Sequence, residues 1–334
     1  MSIVLGTTYG TSKVYELSTD RRLQNTVVYG TAGSGKTRNM LLSMAIKQIE
    51  DSNSGATFIC GRGGESWLID RLANKLNREV IFLHPGVDKG TRDFIESDMV
   101  SGKEMQENLI DYAQAIEDKK IVIIDFDVAN YRTDAKEALK KLLYHFQRSI
   151  VGNSEDNSHY VYIDDAENKL PYIQELLAYG STYAIGTTLF LSSYSLVEAR
   201  SRELAYFLNA HCRTTILMNQ LTYEDYSYFE RRLYGKRGSH NFMQRPEEEV
   251  VVEGLHNGVI DVRNIVLLKP SLRWINEIED EVHIEQDRRN KRRRPRTRAI
   301  VHEVVQTSEP VDTGFDRPSG ESRVFLDESV FFDD

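Results

Sequence analysis

Residues 30–37 read G-T-A-G-S-G-K-T, and no other stretch constrains the fold of this chain as strongly. Gly30, Gly35, Lys36 and Thr37 occupy the fixed positions of the pattern G-x-x-x-x-G-K-[ST]. Glycines let the backbone turn with its N–H groups facing inward, an arrangement that cradles phosphate oxygens. The pattern works where a strand leads into the loop and a helix leaves it, because the helix N-terminus adds its own positive end. Both flanks fit. N-T-V-V-Y-G at 25–30 reads as a buried strand, and Met40, Leu41, Met44, Ala45, Gln48 and Ile49 recur at helical spacing. We therefore expect ATP to be held by Gly30, Thr31, Ala32, Gly33, Ser34, Gly35, Lys36, Thr37 and Arg38. Lys36 reaches the β- and γ-phosphates, and Thr37 is a ligand to Mg²⁺.

Such a loop works with an acid at the end of another strand, which holds the metal through water. Two strands qualify. I-V-I-I-D ends in Asp125, and Y-V-Y-I-D-D ends in Asp164 and Asp165. The second is preferred because two adjacent acids divide the labour: Asp164 orients Mg²⁺ and Asp165 polarises the attacking water. Glu167, two residues on, is a second candidate base.

Around these motifs, strand-like and helix-like stretches alternate. A-T-F-I-C, E-V-I-F-L, K-I-V-I-I-D-F, T-T-L-F-L-S-S and R-T-T-I-L-M-N read as strands. Helices are expected over 103–118, over T-D-A-K-E-A-L-K-K-L-L-Y-H-F-Q-R-S-I, over N-K-L-P-Y-I-Q-E-L-L-A-Y-G, and as one run over S-L-V-E-A-R-S-R-E-L-A-Y-F-L-N. Residues 248–268 read as a hairpin turning near Asn257-Gly258. This alternation predicts an α/β fold: a mostly parallel sheet covered by helices on both faces, plus a C-terminal β-hairpin. Cys60 and Cys212 lie in apolar runs and read as buried free thiols, not a disulfide framework. His84 and His159 have no partner spacing for zinc. No run of eighteen apolar residues occurs, which predicts no membrane-spanning helix and a cytoplasmic protein.

Several stretches together resemble the HerA–FtsK superfamily of P-loop motors, and most closely its TraG-type coupling proteins and related conjugation ATPases of type IV secretion. They are L-G-T-T-Y-G-T-S-K-V-Y-E-L through the glycine loop, G-A-T-F-I-C-G-R-G-G-E-S-W-L-I-D-R-L, K-I-V-I-I-D-F, Y-V-Y-I-D-D-A-E-N-K and Y-A-I-G-T-T-L-F-L-S-S-Y-S-L-V-E-A. The resemblance spans about residues 3–280 and implies a RecA-like P-loop NTPase working as a hexameric ring. It also implies an arginine supplied by the neighbouring subunit, for which Arg200, Arg202 and Arg213 are candidates, and a γ-phosphate sensor near Ser193 and Tyr194. Asp165 stands where many members have Glu, and Tyr194-Ser195 where Gln-Ser is usual.

The formal net charge is −9, which excludes a surface coated in basic residues but not contact inside a pore. Residues 288–298 hold eight basic residues and no acid, and 299–334 then hold nine acids against two arginines. The expected organisation is an ATPase domain over 1–284 and a disordered basic-then-acidic tail over 285–334. The basic block is open to two readings, a sequence-blind DNA contact or an arm held by the acidic tail. The function these features imply is a DNA translocase of the coupling-protein type, with membrane-bound conjugation or secretion components as partners. The alternatives are a secretion ATPase driving protein export or pilus assembly, a small-molecule kinase, and a weakly hydrolysing assembly factor.

Overall fold

In a computed structural model, described over residues 2–61, 64–83, 110–125, 133–154, 156–234, 249–256 and 259–267, the strands form one sheet of eleven. The chain divides into Met1–Arg289 and Asn290–Asp334, and all described residues belong to the first unit. The basic block, the acidic tail, His84 and the Asn257-Gly258 turn lie outside the described residues, as do 103–109 of the helix expected over 103–118.

The strands are β1 (Ile3–Thr8), β2 (Val14–Leu17), β3 (Thr26–Tyr29), β4 (Gly55–Cys60), β5 (Val80–Leu83), β6 (Ile121–Asp125), β7 (His159–Ile163), β8 (Ile185–Leu191), β9 (Thr214–Leu217), β10 (Glu249–His256) and β11 (Val259–Leu267). Their spatial order is β2-β1-β11-β10-β9-β3-β8-β7-β4-β6-β5. From β9 to β5 the pairings are parallel. The hairpin β10–β11 then joins antiparallel to β9, and β1 joins antiparallel to β11. The expected hairpin is thus present, and it extends the parallel sheet instead of standing apart from it.

Strands buried on both faces are largely apolar, and the polar residues these carry, Thr57, His159, Thr187 and Thr215 among them, are themselves buried. Along β3, Val27 and Tyr29 face one core and Val28 the other; along β8, Leu189 and Leu191 oppose Phe190. One face is covered by α2 (Leu42–Glu50) and α3 (Gly64–Lys75) through Met44, Ile49, Leu68 and Leu72. The other is covered by α4 (Tyr112–Glu117), α5 (Thr133–Ser149), α6 (Gln174–Tyr179), α7 (Tyr194–Arg200), α8 (Arg202–His211) and α9 (Tyr223–Tyr234). A short α1 (Thr19–Leu23) precedes β3. Cys60 and Cys212 are buried free thiols.

Two helices depart from the sequence expectation. The run after β8 breaks at Ser201, whose backbone is extended and whose side chain accepts from Leu204 N, so it caps a second helix. The segment holding Pro171 forms short 3₁₀ turns, Ala166–Asn168 and Leu170–Tyr172, before α6 begins. Proline lacks the N–H that a longer α-helix would use there. Among the described residues, no helix is long and apolar enough to cross a membrane.

Candidate nucleotide-binding site

The glycine loop leaves the carboxyl end of β3 between its two parallel neighbours. Gly30 N donates to Leu191 O at the end of β8 (3.1 Å), and Thr31 N donates to Gln220 O beyond β9 (2.9 Å). A Cβ on Gly30 would lie 2.5 Å from Ser34 Oγ and 2.7 Å from Met218 Cβ, so only glycine fits. Gly33 and Gly35 have φ of +82° and +83°, the left-handed region that glycine enters without steric cost. Gly35 opens the helix that leads into α2. Its carbonyl accepts from both Asn39 N and Met40 N, so the first turn, Lys36–Leu41, is wider than an α-turn. Periodicity cannot reveal such a widening.

Lys36 is buried, and its ammonium donates to Gly30 O and to Thr31 O (3.0 Å). Ala32, Gly33 and Arg38 are exposed, and Ser34 Oγ is buried without a hydrogen-bond partner. Thr37 Oγ1 donates to Asp164 Oδ2 at 3.3 Å. That contact brings the first of the paired acids to the loop's threonine. β7 lies one strand from β3, across β8, whereas Asp125 ends β6, beyond β7 and β4 and level with Cys60.

Asp164 is buried, and its Oδ1 has no hydrogen-bond partner. Burial raises its pKa above the ordinary carboxylate value, and the neighbouring Asp165 adds to the rise. A desolvated carboxylate with a spare oxygen beside a threonine hydroxyl fits a divalent cation of the Mg²⁺ class, which takes few protein oxygens and keeps its waters. Asp165 adopts φ +45° and ψ +53°, unusual for a residue with a Cβ, and its carboxylate leans over Gly61. A Cβ at Gly61 would stand 3.0 Å from Asp165 Oδ2.

Three sets of contacts support this acidic turn. Glu167 Oε1 accepts from Ser192 N at the end of β8. Arg200 donates to Asn168 Oδ1 at 3.0 Å. Lys169, 2% exposed, donates from Nζ to Asp164 O (2.5 Å) and Asp165 O (3.0 Å). Burial lowers its pKa, while Asp165 and Asp164 oppose the shift. Sequence named Glu167 and Arg200 for other roles and did not signal Lys169, whose contacts run from side chain to backbone.

Residues expected near the γ-phosphate are engaged elsewhere. Ser193 Oγ accepts from Leu196 N. Tyr194 is buried, stacked on Tyr228 at 4.3 Å, and its hydroxyl accepts from Asn209 (3.1 Å). Buried Asp225 accepts from Tyr194 N, Ser195 N and Ser195 Oγ. Tyr226, Tyr228 and Phe229 pack with the core. Arg202, exposed, opens α8. Arg213, also exposed, precedes β9 at the amino ends of the parallel strands, opposite the glycine loop. His159 is a core residue: Thr57 Oγ1 lies 2.8 Å from its Nε2, and burial lowers its pKa to about 3.

No protein-family profile and no curated protein matches the chain. Among solved structures, VirB4 of Thermoanaerobacter pseudethanolicus matches with a TM-score of 0.54 and 11% identity, over 81% of this chain and 97% of that one. The bacterial conjugative coupling protein TrwBdeltaN70 matches with a TM-score of 0.52 and 14% identity, over 80% and 89%. Both are P-loop ATPases of the HerA–FtsK type, and this chain shares their RecA-like fold.

Proposed function

We propose that this chain is a Mg²⁺-dependent ATPase that assembles as a hexameric ring and drives DNA through it, as a cytoplasmic motor of conjugative transfer. One observation carries the reading: Thr37 and Asp164 meet at 3.3 Å beside the glycine loop, with Asp164 Oδ1 left over. Loop and hydroxyl belong to one stretch, but the acid follows β7, 127 residues along the chain, and connectivity alone does not bring it to Thr37.

The residues divide the work as follows. Loop amides from Gly30 to Gly35 bind phosphate oxygens, and Arg38 stands exposed beside them. Lys36 exchanges its two carbonyl partners for phosphate oxygens, a stronger charge-assisted pairing. Thr37 and Asp164 hold Mg²⁺, which when bound neutralises charge on the β- and γ-phosphates. Asp165 polarises the attacking water. Glu167 spends one oxygen on Ser192 N, so we assign it to tying the acidic turn to β8 and leave the base to Asp165. Arg202 and Arg213 face solvent and are available to a neighbouring copy in the ring. DNA is held through its phosphates without base readout. We assign 1–284 to the ATPase domain and 285–334 to a basic-then-acidic extension that contacts DNA.

A second reading, an ATPase that energises protein export or pilus assembly with membrane-bound partners, fits the same fold, since VirB4 and TrwBdeltaN70 match with similar TM-scores of 0.54 and 0.52. The deciding experiment measures ATP hydrolysis with and without single- and double-stranded DNA while recording particle mass. DNA stimulation of a hexamer supports the translocase. A DNA-indifferent hexamer moves the assignment to the secretion reading, and a DNA-indifferent monomer removes both.

A further inference from the structure

Lys169 has no place in the nucleotide chemistry just described, yet its charged side chain is buried beside it. An ammonium 2% exposed has lost nearly all its water, and a Met of similar length would fill the space without that loss. What the ammonium gains is two carbonyls, Asp164 O at 2.5 Å and Asp165 O at 3.0 Å. Those are the peptide groups on either side of the φ and ψ of Asp165, which sit in the left-handed region. A residue with a Cβ stays there only when its surroundings hold it. The turn Ala166–Asn168 is closed by Lys169 N donating to Ala166 O (2.9 Å), which folds the lysine back over the acids.

We propose that Lys169 is a positioning residue, whose buried ammonium fixes the two peptide planes at Asp164-Asp165 and thereby aims the Asp165 carboxylate for hydrolysis. This rests on the nucleotide site proposed above. It acts on Asp165, which must point at a water, more than on Thr37 and Asp164, which already have each other. The role is therefore kinetic and not one of nucleotide affinity.

The test is a double-mutant cycle on the full chain with Lys169→Met, Asp165→Asn and the pair. Two quantities are read: kcat for ATP, and the calorimetric affinity for a non-hydrolysable ATP analogue with Mg²⁺. Lys169→Met lowers kcat by about 100-fold, the scale expected when a reacting group is misplaced by about 1 Å. Analogue affinity stays within about threefold, because ground-state contacts are untouched. In the Asp165→Asn background, Lys169→Met costs nothing further, since the residue it aims is already gone. An unchanged kcat, a parallel loss of analogue affinity, or an additive double mutant each overturns the proposal. Should Lys169→Met unfold by circular dichroism, Lys169→Gln enters the same cycle with the same criteria. If the unmodified chain binds no Mg²⁺–analogue, the nucleotide site fails instead, so the two failures are distinguishable.

Discussion

The two ends of the parallel strands treat buried polar groups in opposite ways. At the amino ends they are spent on the fold. Asn25 Nδ2 donates to Leu177 O (2.8 Å) and His211 O (3.1 Å), while its Oδ1 accepts from Thr187 N (3.1 Å). Arg78 donates to four backbone carbonyls, those of Ile49, Asp51, Ser54 and Lys119. Buried Arg22 lies 3.5 Å from the Tyr160 ring centroid and bonds Gln48 and Tyr162. At the carboxyl ends, Asp164 Oδ1 and Ser34 Oγ have no hydrogen-bond partner, and Asp165 is strained. The amino ends also hold orphans, Thr26 Oγ1 and His159 Nδ1, but these belong to neutral groups, whereas Asp164 is a desolvated acid. On the function proposed above, one edge is finished by folding and the other by a ligand.

The sharpest way to break this contrast is to mutate the unfinished edge. Lys36→Ala should lower ATP hydrolysis by at least about 10³-fold, comparable to removing a preorganised electrostatic group. Asp164→Asn should also abolish turnover, yet raise the melting temperature, since it removes a carboxylate whose burial already raises its pKa. A fall in melting temperature with either variant would mean that the edge is built for stability after all. The next test mutates the finished edge. Asn25→Ala strips partners from Leu177 O, His211 O and Thr187 N and should cost about 3 kcal/mol by urea unfolding, at about 1–3 kcal/mol per orphaned group. The kcat of the remaining folded protein should not change.

The last effect, smallest near neutral pH, is a pH dependence. His159 titrates at about 3 when folded, well below the ordinary value of 6.5, because burial disfavours its charge. The unfolded chain therefore takes up a proton first as pH falls. The stability contributed by neutral His159 is present in full above 6.5 and is lost as pH drops toward 3. Its slope approaches about 1.4 kcal/mol per pH unit between those limits. His159→Gln should flatten the slope of unfolding free energy against pH in that range. An unaltered slope would place the titration elsewhere.

What the sequence disclosed follows the same division. The glycine loop and the acid after β7 could be named as candidates because phosphate and metal chemistry dictate residue types at fixed spacing, and the structure brings Thr37 and Asp164 together. The mostly parallel character of the sheet was legible because strands buried on both faces are largely apolar and alternate with helices. The joining of β10 to β9 was not, since pairing between distant strands leaves no local mark. The break at Ser201 was hidden by apolar residues that keep helical spacing across it. Tyr194 reads as a sensor only while its neighbours are unknown; Tyr228 and Asn209, from two other helices, take its ring and hydroxyl. Lys169 is one basic residue among many until its burial is seen.

The seating of the glycine loop on Leu191 O and Gln220 O also bears on biogenesis. A polypeptide still attached to the ribosome would display the whole of G-T-A-G-S-G-K-T long before either carbonyl had emerged. The motif comes early, but the shape that grips a triphosphate waits for strands made much later. Nascent chains released before residue 220 should therefore be unable to retain nucleotide, however intact their signature.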